Sequence, residues 1–324
     1  MKLASVRSST PDGELVVVSR DLSHMRRVGE IATTLQAALD DWTRTRPLLE
    51  GIFNRLQNGD ESGAESFDQK SACSPLPRAY QWLDGRAYAS HRHRISNGAP
   101  IPEWFYREAG LLQRASDRFL APTQDIVVSN EAFEIDFEGE VVIVTDEVPA
   151  GIAVNQAAKH VQLIMLANDV SLRALQRDEA VRAFGTIHGK PAGAFSPVAI
   201  TPDEVGNHWH DCRLHLPIHC SINGRTFGEP DAGDMVYGFD AQIAYAARTR
   251  SLAAGSIIGA GTVSNFHPER GHACIIERRA VEEKLHGKPT TPYLRFGDRI
   301  RIEMRDQQGR SIFGAIDQQI TPAS

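Results

Sequence analysis

The chain has 324 residues, of which 41% are hydrophobic and 23% charged, enough apolar material for a large core and too little charge bias for a disordered polymer. Its 35 basic and 41 acidic side chains leave a net charge of −6. That balance offers no basic surplus for a phosphate backbone, so nucleic acid is excluded as an expected partner. No apolar run approaches the roughly 18 residues that span a bilayer, so no membrane partner is expected. The segment Met1–Arg7 lacks the apolar stretch of a secretion signal, and Cys73, Cys212, Cys220 and Cys274 form no CxxC pair. Free thiols and a cytoplasmic location are the resulting expectations.

Residues 1–22 read as a hairpin, with Pro11-Asp12-Gly13 at its turn and the β-branched run Val16-Val17-Val18 after it. From Ile31 to Leu56, Ala32, Leu35, Leu39 and Trp42 recur at helical spacing. The polar, glycine-containing stretch 57–72 reads as a linker and predicts a small N-terminal α+β domain over 1–72, followed by a second domain over 73–324. In that second domain, 131–145 alternates as a strand and Asn155–Asn168 carries a helical pattern through Ala158, Val161, Ile164 and Met165. Further strands are expected at Val198–Thr201, Arg213–Ile222, Leu252–Ile258 and Arg299–Met304. The fold class is α+β, with a mixed β-roll or β-sandwich as the larger unit.

The strand at 131–145 carries the strongest chemical signal. Alternation puts Glu134, Asp136, Glu138 and Glu140 on one face, with neighbouring carboxylates ~6.5–7 Å apart. Such a row repels itself, so either the face is fully wet or a cation offsets the repulsion. Gly139 interrupts the strand where a bulge or a close approach is needed. Oxygen ligands favour Mg²⁺, Ca²⁺ or Mn²⁺ over zinc. The histidine-rich stretch His208–Cys220 offers a zinc reading, but its alternation turns His215 and His219 outward from a strand.

Taken in order, Glu138-x-Glu140, Asn168-Asp169-Val170-Ser171-Leu172-Arg173, Gly189-Lys190-Pro191, Gly259-Ala260-Gly261-Thr262-Val263-Ser264 and Phe296-Gly297-Asp298 resemble the fumarylacetoacetate hydrolase family. Asp84, seven residues before His91, fits the same order, and the resemblance covers about 78–320. It implies the family's C-terminal fold preceded by a short N-terminal domain, and a set of site residues in four roles. Asp84, Glu138, Glu140 and Asp169 are the implied ligands of a divalent cation, Mg²⁺ first, with Ca²⁺ and Mn²⁺ as alternatives. His91 is the implied general base and Glu277 its orienting carboxylate. Lys190, Gln176 and Arg173 are the implied oxyanion donors. Thr262 and Arg114 are expected to meet the substrate.

The implied activity is cleavage of a carbon–carbon bond in a 1,3-dicarbonyl or acylpyruvate-type acid, by a homodimer acting on a small molecule. Leu112 stands where the family carries a substrate-binding tyrosine, and Glu179-Ala180-Val181 replaces a second tyrosine region. The family's carboxylate binders are therefore altered, and Arg92, Arg94 or Arg114 could compensate. The alternatives are a 2-oxo acid hydratase, decarboxylase or isomerase on the same scaffold, or a catalytically silent metal-bound scaffold protein.

Overall fold

The structure, a computed structural model, describes residues 1–324 apart from Asp60, Glu61, Asn97, Phe184 and Ser324. The expected linker at 57–72 and the segment Ser96–Ala99 are thus described except at Asp60, Glu61 and Asn97.

A large sheet organises the molecule. In spatial order its strands are Ala64–Ser66, His24–Arg27, Glu14–Val18, Lys2–Val6, Ala199–Ile200, Val161–Asn168, Gly139–Thr145, Ile257–Gly259, Trp82–Gly85 and Leu111–Arg114, with Ala194–Phe195 also pairing to Val161–Asn168. A second sheet of five strands runs Arg225–Gly228, Ile218–Ile222, Arg299–Met304, Ile316–Pro322 and Ile126–Val128. One core cluster joins Val141, Ile143, Ile164 and Leu166 of the large sheet to Ile218, Ile300, Ile302 and Ile316 of the small one. The opposite face of the large sheet, through Val142, Val144, Leu163 and Met165, is covered by Leu35, Leu39, Leu49, Ile52 and Phe53 of the N-terminal helices. The strands Gly139–Thr145 and Val161–Asn168 therefore sit between two apolar layers, an arrangement in which buried apolar area is the main stabilising contribution.

The expected hairpin forms, with Lys2 paired to Val18 and Val6 to Glu14. The expected helix at 31–56 is two helices, Leu35–Asp40 and Trp42–Gln57, divided at Asp41. The linker is shorter than expected, because Ala64–Ser66 pairs with His24–Arg27 as an edge strand. The expected strand at 213–222 is divided at Leu216-Pro217 into Arg213–Leu214 and Ile218–Ile222. Of Leu252–Ile258 only the end is strand, at Ile257–Gly259.

Two corrections bear on the site. Asn155–Asn168 is not a helix. Val154–Ala157 makes one helical turn, and Val161–Asn168 is a strand buried along its whole length. A strand covered on both faces has no polar alternation, so its apolar positions can fall at helical spacing by coincidence. Nor is 131–145 one strand. Glu134 adopts the left-handed conformation (φ 57°), Ile135–Asp136 pairs separately with Ser171–Leu172, and the main strand begins at Gly139. The four acidic side chains consequently diverge.

Candidate active site

Sheet pairing assembles the first group of carboxylates. Asp84 lies near the end of the strand Trp82–Gly85, Glu140 near the start of Gly139–Thr145, and Asp169 directly follows Val161–Asn168. Between the first two runs Ile257–Gly259, where Gly259 pairs with both Asp84 and Val142. A Cβ on Gly259 would lie 2.9 Å from Asp84 Oδ1 and 3.0 Å from Glu140 Oε2, so the glycine makes room for converging carboxylates. Oxygens of Asp84, Glu140 and Asp169 come within 4.8 Å of one another. Asp84 Oδ1, Asp169 Oδ1 and both oxygens of Glu140 are buried without a hydrogen-bond partner among the described residues.

Leaving four buried carboxylate oxygens unsatisfied is costly, and a bound cation is the usual remedy. Burial, reinforced by Asp84 and Asp169, pushes the Glu140 carboxyl well above its ordinary range. Burial also raises Asp84, against the opposing pull of Arg114. Asp84, Asp136, Glu138 and Asp169 contact the cations Arg114, Lys190 and Arg173 directly, and Glu140, with no ion pair among the described residues, is the fifth carboxyl of the group. The excess is two negative charges, the complement of one dication. The donor set is all oxygen, so the residues present fit a hard divalent cation.

Glu138 is not in this group. Its Oε1 accepts from Ser171 Oγ (2.6 Å) and Lys190 Nζ (2.9 Å) and lies 2.9 Å from Arg173 Nη2, while Oε2 accepts from Thr262 Oγ1. Burial opposes its ionisation, but Lys190 and Arg173 outweigh that and hold it well below the ordinary range. Asp136 is withdrawn further. Its carboxylate accepts from Arg173 Nε (2.9 Å) and from the backbone N–H groups of Ile275 (2.7 Å) and Ile276 (3.0 Å), capping the helix Ile275–His286. Glu134 reaches the surface and pairs with Arg177. Gly139 provides a close approach and not a bulge: its Cβ would lie 2.9 Å from Cys220 Sγ.

The second group centres on Glu277, in the first turn of the helix Ile275–His286. His91, on the helix Ala89–Ile95, lies with Nδ1 2.8 Å from Glu277 Oε2. The other oxygen accepts from His272 Nδ1 (2.8 Å), Ser264 Oγ (3.0 Å) and Arg94 Nη1. Burial resists the charge on Glu277, yet the hydrogen bonds from His272 and His91 prevail and keep its carboxyl far below its usual range. A permanently ionised Glu277 makes His91 Nδ1 the donor and leaves Nε2 as the basic nitrogen.

A cavity of about 310 Å³ joins the two groups. Asp84, His91, Arg114, Glu138, Arg173, Gln176, Lys190 and Thr262 all line it. A larger cleft of about 650 Å³, lined by Lys2, Arg20, Asp306 and Arg310, gathers none of them. Arg173 Nη1 donates to Gln176 Oε1 (3.0 Å), and Lys190 Nζ also reaches Asp169 Oδ2. Leu112, at the expected tyrosine position, presents an apolar wall, and Ala180 another. Among the arginines, Arg94 is committed to Glu277 and Arg114 to Asp84 and Asp169. Arg86 and Arg92 line the cavity with no ion pair to any described residue.

Several supporting residues carry no sequence signal that singles them out. His272 bonds Glu277 from a position with no motif of its own, while Ser264 and Ser171 bond Glu277 and Glu138 from inside the family motifs, where the sequence singles out no role for them. Glu179 accepts from the N–H groups of Ile187 (2.9 Å), His188 (2.7 Å) and Gly189 (3.0 Å), fixing the loop that delivers Lys190. A carboxylate eight to ten residues before a glycine-containing loop is the one pattern that could have found Glu179.

Comparison with known proteins shows the family. The family described as "Fumarylacetoacetate (FAA) hydrolase C-terminal" matches residues 81–321, and "Fumarylacetoacetase N-terminal domain 2" matches 1–78. The chain belongs to the fumarylacetoacetate hydrolase family. It is 26% identical over 172 residues to a mitochondrial oxaloacetate tautomerase of Xenopus laevis, covering 52% of this chain and 51% of that protein. It is also 26% identical over 173 residues to a 2,4-didehydro-3-deoxy-L-rhamnonate hydrolase of Sphingomonas sp., covering 52% and 56%. The matches thus span about half the length of these relatives. A crystal structure of maleylpyruvate hydrolase from Sphingobium sp. SYK-6 with manganese(II) and pyruvate superposes over 100% of both chains, at a TM-score of 0.67 and 17% identity. The shared fold is that of the family, whose members include hydrolases, isomerases and tautomerases. No helix among the described residues is long and apolar enough to cross a membrane.

Proposed function

We propose that this protein is a divalent-cation-dependent hydrolase that cleaves a carbon–carbon bond in a small 1,3-dicarbonyl or acylpyruvate-type acid. The observation that carries this reading is the His91–Glu277 pair, at 2.8 Å, with His91 opening on a cavity that is also lined by Asp84, one of the three converging carboxylates. Asp84, Glu140 and Asp169 would hold the cation, with Glu138 at its edge under Lys190 and Thr262. Once bound, a hard dication supplies Lewis-acid polarisation of substrate oxygens. Mg²⁺ is our first choice, and the Mn²⁺ in the Sphingobium hydrolase supports the class of ion.

His91 Nε2 takes a proton from water, while Glu277 holds the ring's orientation and stabilises the charge it gains. Hydroxide adds to a carbonyl carbon, and positive charge on the wall formed by Lys190, Arg173 and the Gln176 amide favours the oxyanion. His91 then returns its proton to the departing carbon as the bond breaks. Arg86 and Arg92, with no ion pair among the described residues, are suited to the substrate's carboxylates, and Leu112 and Ala180 to its acyl chain.

A second reading is tautomerisation of a 2-oxo acid, favoured by the likeness to oxaloacetate tautomerases. There His91 would carry a proton between carbon and oxygen, with no water consumed. The deciding experiment is NMR analysis of products from oxaloacetate and a panel of acylpyruvates, with Mg²⁺ and with EDTA. Two acids formed only with the cation support hydrolysis. Keto–enol exchange without fragments supports the tautomerase, and release of CO₂ would point to decarboxylation.

A further inference from the structure

The sequence expectation places Arg114 against the substrate; it lines the cavity, and its ion-pair partners are two aspartates. It ends the edge strand Leu111–Arg114, antiparallel to Trp82–Gly85, where it pairs with Trp82 and sits diagonally from Asp84. Its Nη2 donates to Asp84 Oδ2 (2.5 Å) and its Nε to Asp169 Oδ2 (2.9 Å). The side chain is only 5% exposed. One rigid, planar cation therefore spans two of the three carboxylates.

The consequence lies in the oxygens that Arg114 leaves free. Each aspartate has Oδ2 engaged by the guanidinium, and Lys190 reinforces the hold on Asp169 Oδ2. Each keeps only Oδ1 for the bay, while Glu140 keeps both oxygens. Glu138 has both of its oxygens engaged by protein donors. Four carboxylate oxygens of the bay are thus left without a donor among the described residues, one from each aspartate and two from Glu140, and chelation through both oxygens of an aspartate would compete with the guanidinium. Mg²⁺ takes a small octahedron at about 2.0–2.1 Å and keeps positions for water or substrate, whereas Ca²⁺ takes about six to eight oxygens and commonly uses bidentate carboxylates.

We infer that Arg114 is a cation-selectivity residue: by fixing Asp84 and Asp169 as one-oxygen ligands, it favours a small octahedral dication such as Mg²⁺ over Ca²⁺. This rests on the proposed cation site and adds to it the residue that selects the ion. Arg114 is a positioning residue, acting through the two aspartates.

The test is isothermal titration of EDTA-stripped protein with Mg²⁺ and, separately, with Ca²⁺, needing no substrate. The wild type should bind Mg²⁺ at least as tightly as Ca²⁺. Arg114→Met frees Asp84 Oδ2 and should move the Mg²⁺:Ca²⁺ affinity ratio toward Ca²⁺ by about tenfold or more. Arg114→Lys keeps the charge without the two-pronged donor and should show most of that shift. If Arg114→Met does not fold, the wild-type ratio and the lysine variant still decide. A wild-type preference for Ca²⁺, an unchanged ratio in the variants, or a parallel fall in both affinities would overturn the inference. A wild type that binds neither ion would instead overturn the cation site itself.

Discussion

Two clusters of buried carboxylate lie beside one cavity, reaching it through Asp84 and through His91, and they are built in opposite ways. Around Glu277 both oxygens are engaged, by His91, His272, Ser264 and Arg94. In the bay of Asp84, Glu140 and Asp169, four oxygens have no donor among the described residues. The same contrast appears between two neighbouring glutamates, where Glu138 is held well below its ordinary range and Glu140 is pushed well above it. A satisfied carboxylate has finished its work inside the protein, as an anchor for a histidine or a helix end. An unsatisfied buried one requires a ligand from outside.

The largest expected effect comes from the bay. Asp169→Asn removes one converging charge and should abolish measurable Mg²⁺ binding by calorimetry, lowering turnover by about a thousandfold. Turnover near that of the wild type would mean that the unsatisfied oxygens serve no cation. Next is the satisfied cluster. His91→Ala should lower turnover by roughly 10²- to 10⁴-fold with Mg²⁺ affinity unchanged, while His93→Ala on the same helix should leave both near wild type. Equal losses in the two variants would remove the histidine from the chemistry.

Gly259→Ala probes the space between the carboxylates. Its new Cβ would crowd Asp84 Oδ1 and Glu140 Oε2, so Mg²⁺ affinity should fall by about tenfold, with about 1–3 kcal/mol lost on thermal unfolding. A variant with full affinity would show that the bay is wider than the structure makes it. The smallest effect concerns a satisfied carboxylate far from the cavity. Glu282 accepts from the N–H groups of Thr290 and Thr291 (both 2.7 Å) and from the Thr291 hydroxyl. Burial works against its charge, yet these bonds hold it down to about 2. A lowered folded-state value stabilises the fold fully above the ordinary carboxyl value of 4.5, and this contribution is lost as pH falls toward 2. Glu282→Gln should remove that part of the acid dependence, at most about 1 kcal/mol after solvent screening. An unchanged difference in melting temperature between pH 6 and pH 3 would contradict it.

Much of this contrast is legible in the amino-acid sequence. The order of Asp84, His91, Glu138, Glu140, Asp169 and Lys190 along the chain carries the family resemblance; Asp84, His91, Glu138 and Lys190 line one cavity, and Glu140 and Asp169 cluster with Asp84. What alternation does not show is that Glu134 turns left-handed and divides the acidic run, sending Glu134 to the surface and Asp136 to a helix cap. The strand Val161–Asn168 reads as helix because burial on both faces erases its period, although Asp169 keeps its place at the end of the element. The roles of Arg114 and Gly259 arise from partners distant in sequence, brought together by sheet pairing. No local pattern announces such a pairing, so Arg114 reads in the sequence as a substrate contact and not as a partner of Asp84 and Asp169.

The most direct test of carbon–carbon hydrolysis is mass spectrometry of the products formed from an acylpyruvate in H₂¹⁸O with Mg²⁺. In the proposed mechanism hydroxide generated at His91 adds to the carbonyl carbon, so the released acyl acid should carry one solvent oxygen, and His91→Ala should lose that product. Consumption of the enol with no fragment, or fragments without the label, would contradict hydrolysis at this site.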